Sequence, residues 1–148
     1  MTHLIVACAR GWLGTRFHHQ GRLKKTDQHK GGVDCLGLLV GVAAELKLSA
    51  PDGAALAAYD DTHYSHQPDT KYLQEKLSSL LTPIAVSKIS PGDVFLLNID
   101  ESPQHLGIVS NMAEGLGLIH AYAQARRVVE HRLDTWWRSR IQMAFRIF

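Results

Sequence analysis

Cysteine is scarce in this chain of 148 residues, and its two cysteines, Cys8 and Cys35, form no C-x-x-C pair. A zinc knuckle and a thioredoxin-type redox motif are therefore excluded. A Cys8–Cys35 disulfide is compatible with the sequence, but no pattern supports it. Two cysteines do not make a disulfide framework, so we expect folding to need no oxidising compartment.

Net charge and long apolar runs are also limited. The net charge of +2 is too small to argue for nucleic-acid or membrane partners. The N-terminal apolar run, Leu4–Ala9, is shorter than a signal-peptide core, and no run approaches a membrane span. We therefore expect synthesis in the cytoplasm without a signal peptide.

Metal-ligand patterns are missing although the chain has nine histidines. His63 and His66 are close in sequence, but no third ligand stands at a recognisable spacing and no His-Glu-x-x-His motif occurs. The sequence therefore predicts no metal site. The histidines are better candidates for bases than for ligands.

The overall composition is that of a folded globule, with 45% hydrophobic and 20% charged residues. The length suits one domain, spanning residues 1–148, with a core of useful size. Neither an internal repeat nor a low-complexity segment interrupts it.

Helical patterns fill the first half of the chain. His3–Arg10 is predicted as a short helix, in which Cys8 serves packing. The clearest helix is Cys35–Leu48, because its apolar residues recur at helical spacing. A third helix is predicted from a cap at Asp69 or Thr70 through Leu81.

Short β-rich runs follow Pro83, separated by turn signals. The predicted strands are Ile84–Lys88, Val94–Ile99, His105–Asn111, Leu116–Tyr122, Arg127–Leu133 and Gln142–Phe148. Trp136–Trp137 is predicted as a short packed segment. Helices followed by consecutive strands indicate an α+β fold, with a mostly antiparallel sheet packed on the helix that begins at Cys35.

The stretch Gly31–Leu39 places a thiol at the start of that helix. Asp34 is a good N-cap, and Cys35 follows it in the first turn. The helix dipole there favours thiolate over thiol, and free N–H groups can stabilise an oxyanion. We therefore expect Cys35 to react well below pH ~8.5, the reference thiol value. The alternative is a small buried residue without chemistry, and this stretch alone does not separate the two.

Two histidines lie on adjacent predicted strands. Alternation puts His105 and Gly107 on one face of the first strand, and Leu118 and His120 on one face of the next. If these faces coincide and meet the Cys35 helix, both histidines point toward the sulfur, and Gly107 leaves room for the helix. Nucleophile, base and orienting group are then Cys35, His105 and His120. The alternative is a pair of structural histidines.

Basic residues are concentrated in Arg22–Lys30, just before the Cys35 helix. A solvated surface loop is the favoured interpretation. The other interpretation is a patch that flanks a substrate groove and meets an anionic polymer.

Three segments together carry a family resemblance: Ala9–Thr15, Val33–Leu39, and a third that runs from Pro91–Asp93 through His105–Val109 to Ile119–Ala121. In this order and spacing they resemble the NlpC-type cell-wall peptidases, a papain-like group of cysteine peptidases. The similarity is greatest to the branch encoded by tailed phages and prophages.

The resemblance implies a papain-like α+β domain with Cys35 as nucleophile, His105 as general base and His120 as the residue that orients His105. It implies hydrolysis of peptide bonds in peptidoglycan stem peptides, including the bond between D-γ-glutamyl and diaminopimelate residues. No metal or organic cofactor is implied. The phage branch further implies other tail proteins as partners, and delivery by a virion to the periplasm or cell wall of the host.

Three positions bear on substrate binding under the same resemblance. Asp34 matches an acidic residue of the family that is expected to bind a substrate amine, although a helix cap explains it equally well. Phe17 stands where the family usually has a tyrosine, and Leu36 where it usually has a serine. Both departures concern specificity and leave the three catalytic candidates intact.

Two further functions are compatible with the same residues. A tail-tip or assembly protein would keep the fold with little or no activity. A related papain-like fold would carry out thioester-based acyl transfer, although the sequence has no lipid-facing segment to favour it. A nucleic-acid module is the least supported, because aromatic residues are not interleaved with the basic ones.

Overall fold

In the computed structural model, three longer helices pack on one face of an antiparallel sheet and a short helix packs on the other. The structure describes residues 2–64, 71–99 and 102–147, with backbone only for 102 and 103. The helices are α1 (Thr2–Arg10), α2 (Cys35–Leu46), α3 (Tyr72–Leu80) and the short α4 (Thr135–Arg138). Within these described ranges, no helix is long and apolar enough to cross a membrane.

The strands form two sheets, both antiparallel. A small sheet joins β1 (Arg22–Leu23) to β2 (Gly32–Val33). The main sheet contains β3 (Thr82–Ile84), β4 (Val94–Ile99), β5 (Ser102–Met112), β6 (Gly115–Tyr122), β7 (Arg127–Arg132) and β8 (Ile141–Arg146). Its order is β3-β8-β4-β5-β6-β7, which confirms the predicted α+β arrangement.

Two predicted helices occur with small differences at their ends. Helix α1 begins one residue earlier than predicted, and α2 ends at Leu46 rather than Leu48. The chain leaves α2 because Lys47 adopts a left-handed conformation, with φ 54°. Its N–H and that of Leu48 then bond to carbonyls of the last turn, which satisfies groups that would otherwise lack partners.

The predicted cap of the third helix, Asp69 or Thr70, lies outside the described residues. Helix α3 begins at Tyr72 and its N-cap residue, Lys71, makes no side-chain cap hydrogen bond. The helix buries Leu73 and Leu77. These leucines, four residues apart, form an apolar stripe that faces the core.

The strand prediction Ile84–Lys88 is wrong in position. Strand β3 pairs Thr82–Ile84 with β8, and Val86–Lys88 forms a 3₁₀ turn. The prediction began the strand after Pro83. Proline is nevertheless accommodated in β3, because β3 is an edge strand, where a missing N–H can face solvent. Elsewhere β5 begins before His105, at Ser102, while Trp136 and Trp137 lie in α4.

Apolar side chains cover both faces of the main sheet. The larger core joins the first three helices to one face, where Leu106, Ile108, Ile119 and Ala121 lie. A smaller cluster on the opposite face contains Leu97, Val109 and Leu118, with Trp137 packed against it. The face that each strand residue occupies follows from strict alternation along the strand.

The first turn of α2 lies directly against the chain that enters β1. A Cβ atom added to Gly37 would stand 2.3 Å from the Gly21 carbonyl oxygen and 2.9 Å from an Arg22 nitrogen. Because the nearest atom is backbone, it cannot move aside cheaply. Glycine at 37 therefore permits the close approach that brings Arg22 to the start of α2.

We expect Gly37→Ala to destabilise the protein by about 1–3 kcal/mol, as overpacking does, and to lower the melting temperature measured by circular dichroism. Gly11→Ala is the matched control, because its added Cβ would stand no closer than 3.1 Å to its neighbours. Equal stability of the two variants would contradict a tight crossing at Gly37.

Candidate active site

Asp34 sets the start of α2 and so the place of Cys35. Its backbone is extended, and its side chain accepts a hydrogen bond of 2.8 Å from the N–H of Gly37. This is the predicted N-cap. Cys35 consequently occupies the first turn of a helix whose body is buried.

The Asp34 carboxylate has further donors on both oxygens. Oδ1 also accepts from Arg22 at 3.0 Å, while Oδ2 accepts from the N–H of Gln20 at 2.8 Å and from the Tyr64 hydroxyl. A carboxylate offers about four such positions. The cap therefore ties two separate segments, the loop with Gln20 and Arg22 and the segment with Tyr64, to the start of α2, and its acceptor positions are already used.

A cleft opens beside Cys35 and brings the predicted nucleophile and base to one surface. Its lining comes from α2, α3, β5, β6 and the loops around them: Phe17, His19, Asp34, Cys35, Leu36, Tyr64, Tyr72, Leu73, Gln104, His105, Ala121, Tyr122 and Ala123. Cys35 is partly exposed, whereas His105 is only 4% exposed. The base candidate thus lies at the buried end of the cleft.

The cleft exists because β5 and β6 separate. Their ladder runs from Met112↔Gly115 to Ile108↔Ile119, and β5 continues beyond it paired with β4. Val109 exchanges hydrogen bonds with the chain just before β4, so the N–H of Leu106 points to the opposite side, toward β6. That N–H reaches the Cys35 sulfur and favours its thiolate.

The predicted face for the histidines needs a correction. His105 and His120 do share a face, but it is the face with Val109 and Leu118, opposite the larger core with α2. A Cβ on Gly107 would lie 2.6 Å from Leu118 and 3.2 Å from His120. Gly107 therefore makes room for these neighbours rather than for the helix, and Cys35 and His105 share only the cleft beside the point where the strands separate.

Behind the cleft, three histidines form a continuous hydrogen-bonded series. His105 Nε2 lies 2.6 Å from His120 Nδ1, and His120 Nε2 lies 2.8 Å from His131 Nε2. His131 Nδ1 lies 2.9 Å from the carbonyl oxygen of Arg132. His120 is fully buried, and Nδ1 is the ring nitrogen of His105 that takes no part in the series.

The charge state of Cys35 differs from the prediction. Burial raises the pKa of its thiol to about 12, and the negative charge of Asp34 adds to the rise. The N–H groups of Leu106 and Leu36 lower the pKa by less than burial raises it. At the start of α2, desolvation of the thiolate therefore outweighs the favourable N–H groups.

The two inner histidines are held neutral. Burial lowers the pKa of His105 to about 4. Burial also brings the pKa of His120 well below its usual value, and positive charge on His105 or His131 would lower it further. At neutral pH the site therefore contains an uncharged thiol and an uncharged imidazole, so a proton has to move during attack.

The three predicted substrate-binding positions all reach the cleft, with different surroundings. Phe17 is partly buried and held by a backbone hydrogen bond to Arg126. Leu36 is 3% exposed and belongs to the larger core. Asp34 is explained by its cap and its four donors. A substrate amine at Asp34 would have to replace one of them.

The basic segment is only partly a surface loop. Arg22 forms ion pairs with Asp34 at 3.0 Å and with Asp60 at 2.9 Å, and Lys24 pairs with Glu45 at 3.0 Å. These two cations are engaged in the fold. Cys8 donates a hydrogen bond to the same Glu45, consistent with the predicted packing role, and both cysteines are free thiols.

Sequence reasoning missed Tyr64 and His131; for Trp137 it predicted packing, which is confirmed, but not the contact with His120. Tyr64 follows an irregular segment that has no periodicity, so nothing in the pattern placed its hydroxyl on Asp34. His131 stands opposite Leu118 in the β6–β7 ladder, which puts it on the face of His120. Alternation along the predicted strand could have found His131 only with the register of that hairpin.

Of His63 and His66, the latter lies outside the described residues. Within the described ranges, no three His, Cys, Asp or Glu side chains are grouped to hold a metal ion.

Sequence comparison gives no relative: no protein-family model matches the chain, and no curated protein matches it. Solved structures do match. The NlpC/p60 domain of the peptidoglycan hydrolase SagA superposes with a TM-score of 0.62 at 19% identity, over 98% of this chain and 97% of that one. The P60 domain of antigen MAP1204 from M. avium subspecies paratuberculosis gives 0.62 at 14% identity, over 99% and 93%.

A third neighbour is an N-acetylmuramoyl-L-alanine amidase from Bacteroides uniformis. It gives a TM-score of 0.55 at 12% identity, over 97% of this chain and 96% of that one. At these identities the comparison concerns the fold. The chain has the papain-like fold of NlpC/p60 domains.

Proposed function

We propose that this protein is a cysteine hydrolase of bacterial cell walls, which cleaves peptide bonds in peptidoglycan stem peptides. The observation that carries the proposal is the cleft that Cys35 and His105 share, with His120 hydrogen-bonded behind His105. A thiol, a neutral imidazole and an orienting group are what covalent acyl transfer requires. The fold shared with a peptidoglycan hydrolase and an amidase supports the same class of substrate.

The proposed reaction begins with proton transfer. Nδ1 of His105 takes the thiol proton as the Cys35 sulfur bonds to the amide carbon, because both groups are neutral at rest. The carbonyl oxygen becomes an oxyanion. His105 then gives the proton to the leaving amine as the carbon–nitrogen bond breaks. Water, deprotonated by His105, releases the acyl group and restores the thiol.

The oxyanion would bind at the start of α2. In the first turn, the Gly37 N–H bonds to the Asp34 side chain and the Leu38 N–H bonds to the Asp34 carbonyl. The N–H groups of Cys35 and Leu36 precede these in the turn and are directed out of the helix, as the first N–H groups of any helix are. Their positive potential suits a developing negative charge beside the sulfur.

We propose the bond between D-γ-glutamyl and diaminopimelate residues as the site of cleavage, and association with a phage tail as the setting. Both proposals are supported by the sequence resemblance. Mass spectrometry of the digestion products identifies the bond, and an antibody against the protein tests for it in purified virions.

We expect Cys35→Ala to abolish digestion of purified sacculi, measured as loss of turbidity and release of new amino groups. The reason is that, among the cleft residues that the structure describes, Cys35 alone has a thiol to form the acyl intermediate. Cys8→Ala is the matched control, since Cys8 lies on α1 away from the cleft, and it should digest at the parental rate.

Circular dichroism should show that Cys35→Ala keeps its fold, because a small partly exposed side chain is lost. Digestion by Cys35→Ala at the rate of the parent would reject the proposed enzyme. A parental protein without activity on sacculi and on a synthetic stem peptide would instead favour a tail protein with this fold but no hydrolysis.

The pH dependence of alkylation tests the neutral resting state. In a Cys8→Ser background, the rate of reaction of Cys35 with iodoacetamide should rise about tenfold per pH unit from about pH 6 to pH 10, since the thiolate fraction grows throughout below a pKa near 12. Loss of modified protein by mass spectrometry gives the rate. A plateau below pH ~8 would show a preformed thiolate and contradict the neutral pair.

A further inference from the structure

We propose that His131 is a positioning residue that fixes the protons of His120 and His105 and so leaves Nδ1 of His105 free to take the Cys35 proton. This inference rests on the proposed function, since it concerns the base of that reaction. It adds a fourth residue behind the three catalytic candidates.

The series of histidines ends at a group that can only accept a hydrogen bond. The Arg132 carbonyl lies 2.9 Å from His131 Nδ1, so this nitrogen must carry the proton. In the neutral form of His131, Nε2 is then an acceptor. It faces His120 Nε2 at 2.8 Å, so His120 must be the donor at that contact.

The proton position on His105 follows in the same way. With its proton on Nε2, neutral His120 accepts at Nδ1, and His105 Nε2 at 2.6 Å must donate to it. His105 is neutral as well, because burial lowers its pKa to about 4. Its second nitrogen, Nδ1, therefore has a free lone pair, which is the state a general base needs.

Packing holds the outer rings in this order. The ring of Trp137 on α4 lies 4.7 Å from the His131 ring and 5.0 Å from the His120 ring, measured between centroids. Tyr122 stacks on His120 at 5.0 Å and also contacts Trp137, edge to face, at 5.4 Å. These contacts restrict ring rotation, so the hydrogen-bond directions are kept.

Removal of the acceptor at 131 would release the series. In His131→Phe the Nε2–H of His120 loses its partner inside the protein. His120 can then carry its proton on Nδ1 and donate to His105 Nε2, which moves the His105 proton to Nδ1. That tautomer cannot accept the thiol proton, although the ring stays in place.

The experiment compares His131→Phe with His131→Gln. The amide oxygen of glutamine can accept from His120 where the ring nitrogen did, so this variant should keep kcat within about threefold. The Phe variant should lose kcat about tenfold or more, with KM on a stem peptide unchanged, because the cost is in the tautomer and His131 does not line the cleft. His3→Phe on the exposed face of α1 is the matched control and should behave as the parent.

A second measurement does not depend on activity. The ¹⁵N chemical shifts of the ring nitrogens should show protons on Nε2 of His105 and His120 and on Nδ1 of His131 in the parental protein. A proton on His105 Nδ1 in that spectrum, or parental kcat in His131→Phe, overturns the proposal. If the Phe variant does not fold, the parental spectrum decides. The expected spectrum in a protein that cleaves no stem peptide would reject the proposed function and leave the tautomer assignment standing.

Discussion

The rest of the site depends on the hydrogen bonds and the ion pair that the Asp34 carboxylate forms. It caps α2 and at the same time holds Gln20, Arg22 and Tyr64, so the loop before the helix and the segment after it converge on one pair of oxygens. A buried carboxylate is stable only with such compensation. Because the buried charge needs all of these donors, they hold the first turn of α2 in place. The direction of the Cys35 side chain is fixed with it.

A second constraint comes from the sheet. Once β5 and β6 stop pairing at Ile108 and Ile119, an N–H of β5 is released toward the sulfur, and the side chains beyond that point can approach the start of α2. His105 stands on the face away from the helix, and its side chain borders the cleft at this opening. The separation therefore produces both a polar group for the site and the space in which a substrate amide would lie.

Features that depend on residues close in sequence could be predicted, and features that depend on residues distant in sequence could not. Helix α2 and its Asp34 cap were predictable because periodicity and capping are local, and so were the strands of His105 and His120. The face of the sheet that meets α2 was not, since it depends on where two strands separate. The pKa of Cys35 was missed because burial by residues distant in sequence outweighs the helix start. His131 required the register across the turn at Ala123–Arg126, and Tyr64 lies in a segment without pattern.

The series of histidines ends on the main chain, at the carbonyl of Arg132, whose side chain is largely exposed. A carbonyl belongs to every amino acid, so substitutions at this position leave the terminal acceptor in place. The order of donors and acceptors along the series is thus set by a backbone carbonyl. Side-chain substitutions at residue 132 leave that carbonyl in place. Drift in the sequence can alter this surface freely while the buried proton positions stay the same.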